Sequence, residues 1–570
     1  MTQLDWIVLV ATLVFIVLYG MWKGRRNRDI QEYLLANRSM PWYTVCLSIM
    51  ATQASAITFL SAPGQAYGDG MRFVQFYFGL PLAMVVLSIT AVPIYNRLKV
   101  YTAYEYLEGR FDLKTRGLAA FLFLVQRGIS TGVSIYAPAL VLSAILGWDV
   151  RLMCVLNGIL VMLYTVWGGT KAVSYTQLGQ MAVILGGMAV AGFLTVGLLP
   201  SDVSFGDALR IAGKAGKLNA VDLDFNPNNR YNLWSGLIGG FFLFLSYFGT
   251  DQSQVGRYLS GSSVAQSRMG LLMNGIVKIP MQFGILFVGV LVFVFYLFVQ
   301  PPLFFNQLEI NDLQKNGYQP QLSILQYRHD SLFAVQQTQA RTLLAAMRTE
   351  NAAALRTAES DFDKTLAQAR ATHNEVAGLV RQSKKLGKEE NVDDTNYVFL
   401  TFVTSYLPSG LVGLLIAVIL LASMSSVAGA INSLTSTTII DVYRRSIRPA
   451  ASDQHYLDAS RWVTLGWGVF SIAVALFSGR VGNLLEAVNR LGSLFYGVIL
   501  GIFLCAFYLK RIHGSAAFYA ALVSQAIIFL LYLFSPIAFL WYNVIGCGLV
   551  MGFAWLIAMV FPVGENPQQS

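Results

Sequence analysis

Long apolar runs separated by short polar loops dominate this chain of 570 residues. A helix that crosses a bilayer needs roughly 20 mostly apolar residues. Runs of that order lie at 4–22, 42–66, 73–95, 117–146, 150–167, 175–199, 233–256, 270–299, 397–440, 460–478, 483–509, 515–534 and 537–561. The pattern therefore predicts an all-α polytopic membrane protein with about thirteen spans. Residues 301–396 break it. Positions 321–390 are rich in Ala, Gln, Leu, Arg and Glu with almost no Gly or Pro, which predicts a long helix or helical hairpin outside the membrane. Such a segment is either a solvated extension on the outer face or a docking site for an outer partner. Leu322, Leu325, Leu332 and Phe333 begin an apolar stripe that is not sustained as heptads.

Two spans carry polar interruptions. The second holds Thr52, Gln53, Ser55 and Thr58 at mid-span, and Pro63-Gly64 is expected to end its regular helix. The seventh reads Ser246-Tyr247-Phe248-Gly249-Thr250-Asp251-Gln252. Irregular backbone at membrane depth is tolerated only where it lines a cavity or is buried in protein. Interruptions at matching places in two halves point to a transporter built from inverted repeats, here spans two to six and seven to eleven. A third feature is the run Ala422–Thr438, which follows apolar Leu411–Leu421 and is crowded with small and hydroxyl side chains. A helix built this way is a tight packing face or a site for a small cation.

Composition narrows the function. Charged residues make up 12% of the chain against about 25% in soluble domains, and mean hydropathy is +0.55. The net charge of +10 reads mainly as a topology signal. Basic clusters follow span one (Lys23, Arg25, Arg26, Arg28), span three (Arg97, Lys99, Arg110, Lys114, Arg116), span nine (Arg444, Arg445, Arg448) and span eleven (Lys510, Arg511, His513). All fall on the cytoplasmic side if the N-terminus is outside and the C-terminus inside. A nucleic-acid partner would need a soluble basic face, which the pattern lacks. The first span has no small-residue cleavage site and is expected to be retained. Cys46, Cys154, Cys505 and Cys547 sit in apolar segments without C-x-x-C spacing and read as packing residues. The four histidines lie in loops or in the 301–396 segment, which argues against a histidine proton relay. No phosphate-binding loop, paired catalytic carboxylates or nucleophile motif appears, so neither an ATP-driven pump nor an enzyme is indicated. Four charges fall in or near spans: Arg127, Lys278, Glu486 and Arg490. Each is explained by snorkelling, by an internal ion pair or by a ligand.

At these residues the chain resembles the sodium:solute symporter family, which contains bacterial galactose, proline and sialic acid transporters and mammalian glucose, iodide, multivitamin and monocarboxylate cotransporters. Four motifs carry the resemblance, which runs from about Tyr33 to Arg511 apart from 301–396. They are Arg38-Ser39-Met40-Pro41-Trp42 with Ser55-Ala56-Ile57-Thr58-Phe59-Leu60; Trp167-Gly168-Gly169-Thr170-Lys171-Ala172-Val173 with Thr176 and Gln180; Gly249-Thr250-Asp251-Gln252 with Arg257-Tyr258; and Ala422 through Asp441-Val442-Tyr443. The resemblance implies a leucine-transporter-like five-plus-five inverted repeat. The expected organisation is an extra N-terminal helix and basic inner loop in 1–40, a first repeat in 41–200, an outer loop at 201–230, a second repeat in 231–300 and 397–511 around the 301–396 insertion, and two C-terminal helices in 512–570.

The resemblance also implies sites. The family's sodium ligands match the carbonyls of Ala51, Ala54 and Ala422 and the hydroxyls of Ser425 and Ser426, making Na+ the expected coupling ion. Ser425 follows Ala422 by three residues and so shares its helix face. Gln177 stands where the family usually has Asp, a ligand of a second sodium in two-sodium members, which points to one sodium per cycle. The solute-site positions match Gln53, Ser55, Thr58, Tyr77, Tyr247 and Lys278, with Tyr247 similar to an aromatic inner gate and Asn489 and Arg490 near a further contact. Ile57, Thr58 and Tyr77 depart from the galactose pattern, and Ser55–Leu60 looks closer to the monocarboxylate, multivitamin and iodide branch. Arg127 suits an anionic solute, because arginine pairs carboxylates by forked hydrogen bonds. The expectation is a symporter for a small organic anion or acidic sugar in a cell membrane, the bacterial inner membrane. A sodium/neutral sugar or polyol symporter and a transporter-like sensor are the alternatives. A sensor would be expected to append a signalling domain, and the chain ends a few residues after span thirteen. A channel would be expected to repeat a pore element.

Overall fold

The computed structural model describes residues 1–24, 35–349, 351–385, 392–478 and 483–561. Among them the only β-type pairing is an isolated bridge between Met40 and Gly261, and everything else regular is helical. The helices are α1 (Gln3–Gly24), α2 (Trp42–Gln53), α3 (Ala56–Asp69), α4 (Leu80–Ile89), α5 (Ala91–Leu98), α6 (Ala103–Arg110), α7 (Leu113–Leu146) and α8 (Val150–Gly197). Then come α9 (Phe205–Lys214), α10 (Gly240–Gly249), α11 (Gln252–Leu259), α12 (Val264–Phe298), α13 (Gln307–Lys315), α14 (Gln319–Arg348) and α15 (Ala352–Ser383). The last are α16 (Thr395–Tyr406), α17 (Leu411–Thr437), α18 (Asp453–Phe477), α19 (Leu484–Tyr508), α20 (Gly514–Phe534) and α21 (Leu540–Val560). Nine helical stretches among the described residues are long and apolar enough to cross a membrane, and three shorter apolar helices accompany them.

The reading of the spans erred in two places, the run 397–440 and the end expected at Pro63. The run 397–440 is two helices, α16 and α17, because Pro408 cannot continue a helix and Gly410 adopts a left-handed φ of 89°. The runs 150–167 and 175–199 share one helical stretch, α8, whose 48 residues are more than one crossing needs, and its two apolar parts remain distinct. Pro63 does not end the second span. It sits inside α3, which continues to Asp69 at the cost of one backbone hydrogen bond. Gly289 of α12 packs there so tightly that an added Cβ would lie 2.2 Å from the Pro63 carbonyl oxygen, and the neighbouring helix holds α3 through the proline.

The true break in the second span is nine residues earlier. Ala54 has φ −88° and ψ 74°, and Ser55 is extended, so α2 and α3 are separate helices. The seventh span breaks at Thr250-Asp251, between α10 and α11. The two broken helices meet through the Met40 bridge, where the Met40 amide donates to Ser260 O at 3.0 Å and the Ser262 amide donates to Met40 O at 3.0 Å.

Helix α19 has a distinct end for each class of loop. At its start, Asn483 donates to Gln65 Oε1 at 2.8 Å and to Thr395 Oγ1 at 3.2 Å, close to the insertion. At its finish, Arg110 donates to the carbonyls of Leu509 (3.1 Å) and Lys510 (2.9 Å). At that basic end Arg116 joins Glu108 and Asp441, and Arg445 also reaches Glu108 at 2.5 Å. Three basic clusters predicted to share a side therefore do meet. The first cluster (Arg25, Arg26, Arg28) lies outside the described residues, as does Tyr33.

At the opposite end α14 and α15 form a hairpin. Ion pairs Arg348–Asp207 (2.6 Å), Lys214–Glu359 (2.5 Å) and Arg341–Asp202 (3.3 Å) tie it to α9 and the loop before it. His373 of α15 contacts Asp394 at 3.1 Å and stacks on Phe304. Within this end, Leu303, Phe304, Leu313, Leu322, Leu325, Val376 and Val380 form a small core of their own. The four cysteines are buried and unbridged.

Candidate functional site

The two helix breaks are satisfied differently. At the α10–α11 break, the Gly249 carbonyl accepts from Tyr95 OH at 2.9 Å and the Thr250 carbonyl from Tyr104 OH at 2.8 Å. Asp251 caps α11, accepting from the Ser253 amide (2.9 Å) and hydroxyl (2.6 Å). At the α2–α3 break no described backbone amide donates to the Ala51 or Ala54 carbonyls. Carbonyls freed from a helix and left open are oxygen ligands for a hard cation.

Helix α17 packs against α2 and α3 and contributes the hydroxyls. Ser425 and Ser426 are both buried. The Ser425 hydroxyl donates to Gln180 Oε1 of α8 and lies 3.0 Å from Leu421 O, and Ser426 donates to Ser423 O at 3.1 Å. A hydroxyl that gives up its proton in a hydrogen bond still presents lone pairs. Gln177, three residues before Gln180, accepts from Ser48 Oγ at 2.7 Å and donates to Thr52 Oγ1 at 3.4 Å. Two amides on one face of α8 thus hold α2 and α17. The site oxygens are neutral, and the described residues contain no cluster of three or more His, Cys, Asp or Glu side chains. That donor set suits an alkali cation better than a transition metal. Side chains at 167–173 are outside the described residues, so the Trp167–Val173 motif is not located.

Beside the break lies a cavity of about 100 Å³. Gln53, Ser55 and Thr58 line it from α2–α3, Tyr77 from the 3₁₀ segment Gly70–Tyr77, Tyr247 from α10, and Ser426 from α17. Arg127 lines it from α7 together with Ser130, Thr131 and Ser134, which follow at helical spacings of three, four and seven. Sequence reading missed these three hydroxyls, although that spacing beside an intramembrane arginine was a visible signal.

Arg127 is the one charged side chain lining this cavity, and it has a partner 124 residues away. Its Nη2 donates to Asp251 Oδ2 and, at 3.1 Å, to Tyr496 OH. Tyr496 OH also donates to Asp251 at 2.8 Å, and the guanidinium lies 5.4 Å from the Tyr247 ring centroid. The sequence marked Asp251 only as part of the seventh-span interruption, not as the partner of Arg127, and it did not single out Tyr496. Arg127 Nε is buried and has no hydrogen-bond partner.

Lys278 does not line the cavity. It is fully buried in α12 behind Tyr77, 5.7 Å from that ring, with no hydrogen-bond partner for Nζ. It neither snorkels nor forms an ion pair among the described residues. Asn489 does line the cavity, whereas Arg490 pairs with Glu486 at 2.5 Å and Glu486 also holds Arg230. Ala51, Ala54, Ala422 and Ser425 lie outside the lining.

Comparison with known proteins identifies the family and the fold. The sequence model of the sodium:solute symporter family matches residues 33–313 and 375–524. Sodium-coupled monocarboxylate transporter 1 of Xenopus laevis is 33% identical over 276 residues, 47% of this chain and 44% of the relative. The sodium-dependent multivitamin transporter of Oryctolagus cuniculus is 26% identical over 510 residues, 88% of this chain and 65% of the relative. The sodium/iodide cotransporter of Homo sapiens is 31% identical over 305 residues, covering 52% and 46%. The chain thus spans between about half and two thirds of the length of these relatives. A solved Na+-coupled sialic acid symporter in a substrate-bound outward-open state has the same fold, with a TM-score of 0.76, 21% identity and 99% coverage of each chain.

Proposed function

Because the chain belongs to the sodium:solute symporter family, we propose that it is a multi-pass membrane symporter that imports a small organic anion with one sodium ion per cycle. The observation that carries the reading is the pair of open carbonyls at the α2–α3 break, next to a cavity that Ser426 of α17 lines together with Gln53 and Ser55. Sodium bound by the carbonyls of Ala51, Ala54 and Ala422 and the hydroxyls of Ser425 and Ser426 would join the break to α17. An empty site leaves that joint without its central charge. The ion's binding free energy thereby biases the equilibrium between the two access states, as coupling requires.

Gln53, Ser55, Thr58, Tyr77 and Tyr247 are the proposed solute contacts, and the unpartnered Nε–H of Arg127 is the proposed donor to a carboxylate. Charge balance supports this. Arg127 and Asp251 cancel each other, and a monoanion cancels one sodium, so the loaded site carries no net charge into a low-dielectric interior. Gln177 supports a single sodium, since its amide offers a neutral oxygen already held by the Ser48 hydroxyl, while its nitrogen donates to Thr52. Lys278 contributes only if Tyr77 moves aside. The proposed orientation puts the hairpin end outside and the basic end in the cytoplasm, in a bacterial inner membrane.

One observation favours a neutral sugar or polyol instead: Arg127 already has a carboxylate partner. Uptake of radiolabelled solutes into vesicles decides among the readings. Accumulation driven by an inward sodium gradient is the expected result, and equal accumulation in potassium would sink symport. A sensor would bind solute without accumulating it, and a channel would equilibrate without concentrating.

A further inference from the structure

We propose that the hairpin end carries a second anion site, distinct from the central cavity and built for a small carboxylate by Arg72 and Arg370. A cavity of about 470 Å³ opens there, between the C-terminal end of α3, the loops around 216 and 229, and the hairpin. Arg72, Lys217, Arg230 and Arg370 contribute positive charge to its lining and Asp69 the single carboxylate.

The partners of these groups decide which charges are available. Arg230 is held by Glu486 at 2.5 Å. Asp69 accepts from Gln65 Nε2 at 2.5 Å. Lys217 is buried and donates to the carbonyls of Tyr67 (2.7 Å) and Gly68, which caps the C-terminal end of α3 and offsets the negative pole that would repel an anion. Burial first, and then the nearby positive charge of Arg370, push the Lys217 ammonium down to about 7. Arg72 and Arg370 are exposed and have no ion pair or side-chain hydrogen bond among the described residues. Two guanidinium groups without an ion pair, lining one cavity in which four cationic side chains outnumber the one carboxylate of Asp69, are a receptor for a carboxylate, which each can bind through a fork of two N–H donors.

This site is an addition to the family plan. Arg370 lies in 314–374, the stretch that the family's sequence model passes over. The ion pairs that lock the hairpin to α9 hold it at the cavity. The other end of the same helix α3 is the break at Ser55, so the two sites are joined by about 20 Å of one helix.

The test is equilibrium binding of radiolabelled pyruvate to the purified full-length chain in sodium-free potassium chloride, where sodium coupling at the central site is silent. Saturable binding is expected, and Arg370→Gln and Arg72→Gln should each weaken it about tenfold, the value of one charge-assisted hydrogen bond. Both side chains are exposed, so the variants are expected to fold. Absence of saturable binding, binding that either variant leaves unchanged, or equal displacement by chloride at the same concentration overturns the proposal. The outcome is independent of the symport reading, which sodium-dependent uptake tests separately.

Discussion

The Ser425 hydroxyl donates its proton to Gln180, 245 residues away in the chain and on another helix. That bond points the oxygen lone pairs of Ser425 away from α8 and fixes one proposed ligand of the cation before the ion arrives. Ser425→Ala is expected to raise the sodium concentration for half-maximal uptake about tenfold, and Gln180→Leu about threefold to fivefold, since a neutral hydrogen bond is worth about 1 kcal/mol. Sodium titration of uptake checks both. Unchanged titrations would remove Ser425 from the shell.

Gln177 sits between Ser48 and Thr52 as a neutral bridge. Gln177→Asp places a carboxylate there, one methylene shorter than the amide it replaces. The expected outcome is a steeper sodium activation, the Hill coefficient rising from about 1 toward 2 as a second ion is recruited. A coefficient that stays at one would show that the second site needs more than this charge.

Removing Arg127 leaves Asp251 as a buried, unpaired carboxylate, a loss that costs about 3–5 kcal/mol. Arg127→Ala is therefore expected to give little folded protein. The paired variant Arg127→Met with Asp251→Asn is expected to recover thermal stability without recovering anion uptake. Thermal melting and uptake of the paired variant together check this. Full anion uptake by that variant would remove Arg127 from the solute site.

One sodium and one monoanion move no net charge. A valinomycin-imposed potassium diffusion potential is then expected to leave accumulation unchanged. A single extra charge would gain about 2.3 kcal/mol from 100 mV, roughly a fiftyfold change in the accumulation ratio. Accumulation that follows the potential would require a second sodium or a neutral solute.

His373 anchors the hairpin to Asp394, whose carboxylate also accepts from the Phe305 amide at 2.5 Å. Burial alone would push the imidazole down, but the Asp394 hydrogen bond and charge, with Asp393 nearby, outweigh it and leave it above its ordinary value. A raised folded value means that the anchor is at full strength below about pH 6.5 and is lost as pH rises through the folded value. Hydrogen exchange across α15 is expected to accelerate, beyond its intrinsic base catalysis, as pH rises above about 6.5 and through the raised folded value. His373→Gln should abolish that excess. An excess that survives the substitution would place the anchor elsewhere.

Much of this protein was legible in the residues. Apolar runs set by bilayer thickness marked most of the helices, and polar interruptions marked both breaks, because a membrane interior admits irregular backbone in few places. The break in the second span was misplaced at Pro63-Gly64, since local propensity cannot register that Gly289 packs on α3 and keeps it helical. The run 397–440 was joined because hydropathy averages over a single proline and glycine.

The sequence by itself determined that the chain is a bundle of membrane helices with a polar insertion, and it marked Ala422–Thr438 as a run of small and hydroxyl side chains. Those are local properties: periodicity, side-chain chemistry and spacing along one helix. Only the tertiary structure decided which oxygens stay open. Tyr95 and Tyr104 close the carbonyls of one break and leave the other break open. It also decided that Arg127 faces the cavity already paired with Asp251 while Lys278 is shut behind Tyr77. These are contacts between residues more than a hundred positions apart, or between helix faces, and no pattern along a single chain encodes which side chain reaches a shared atom first.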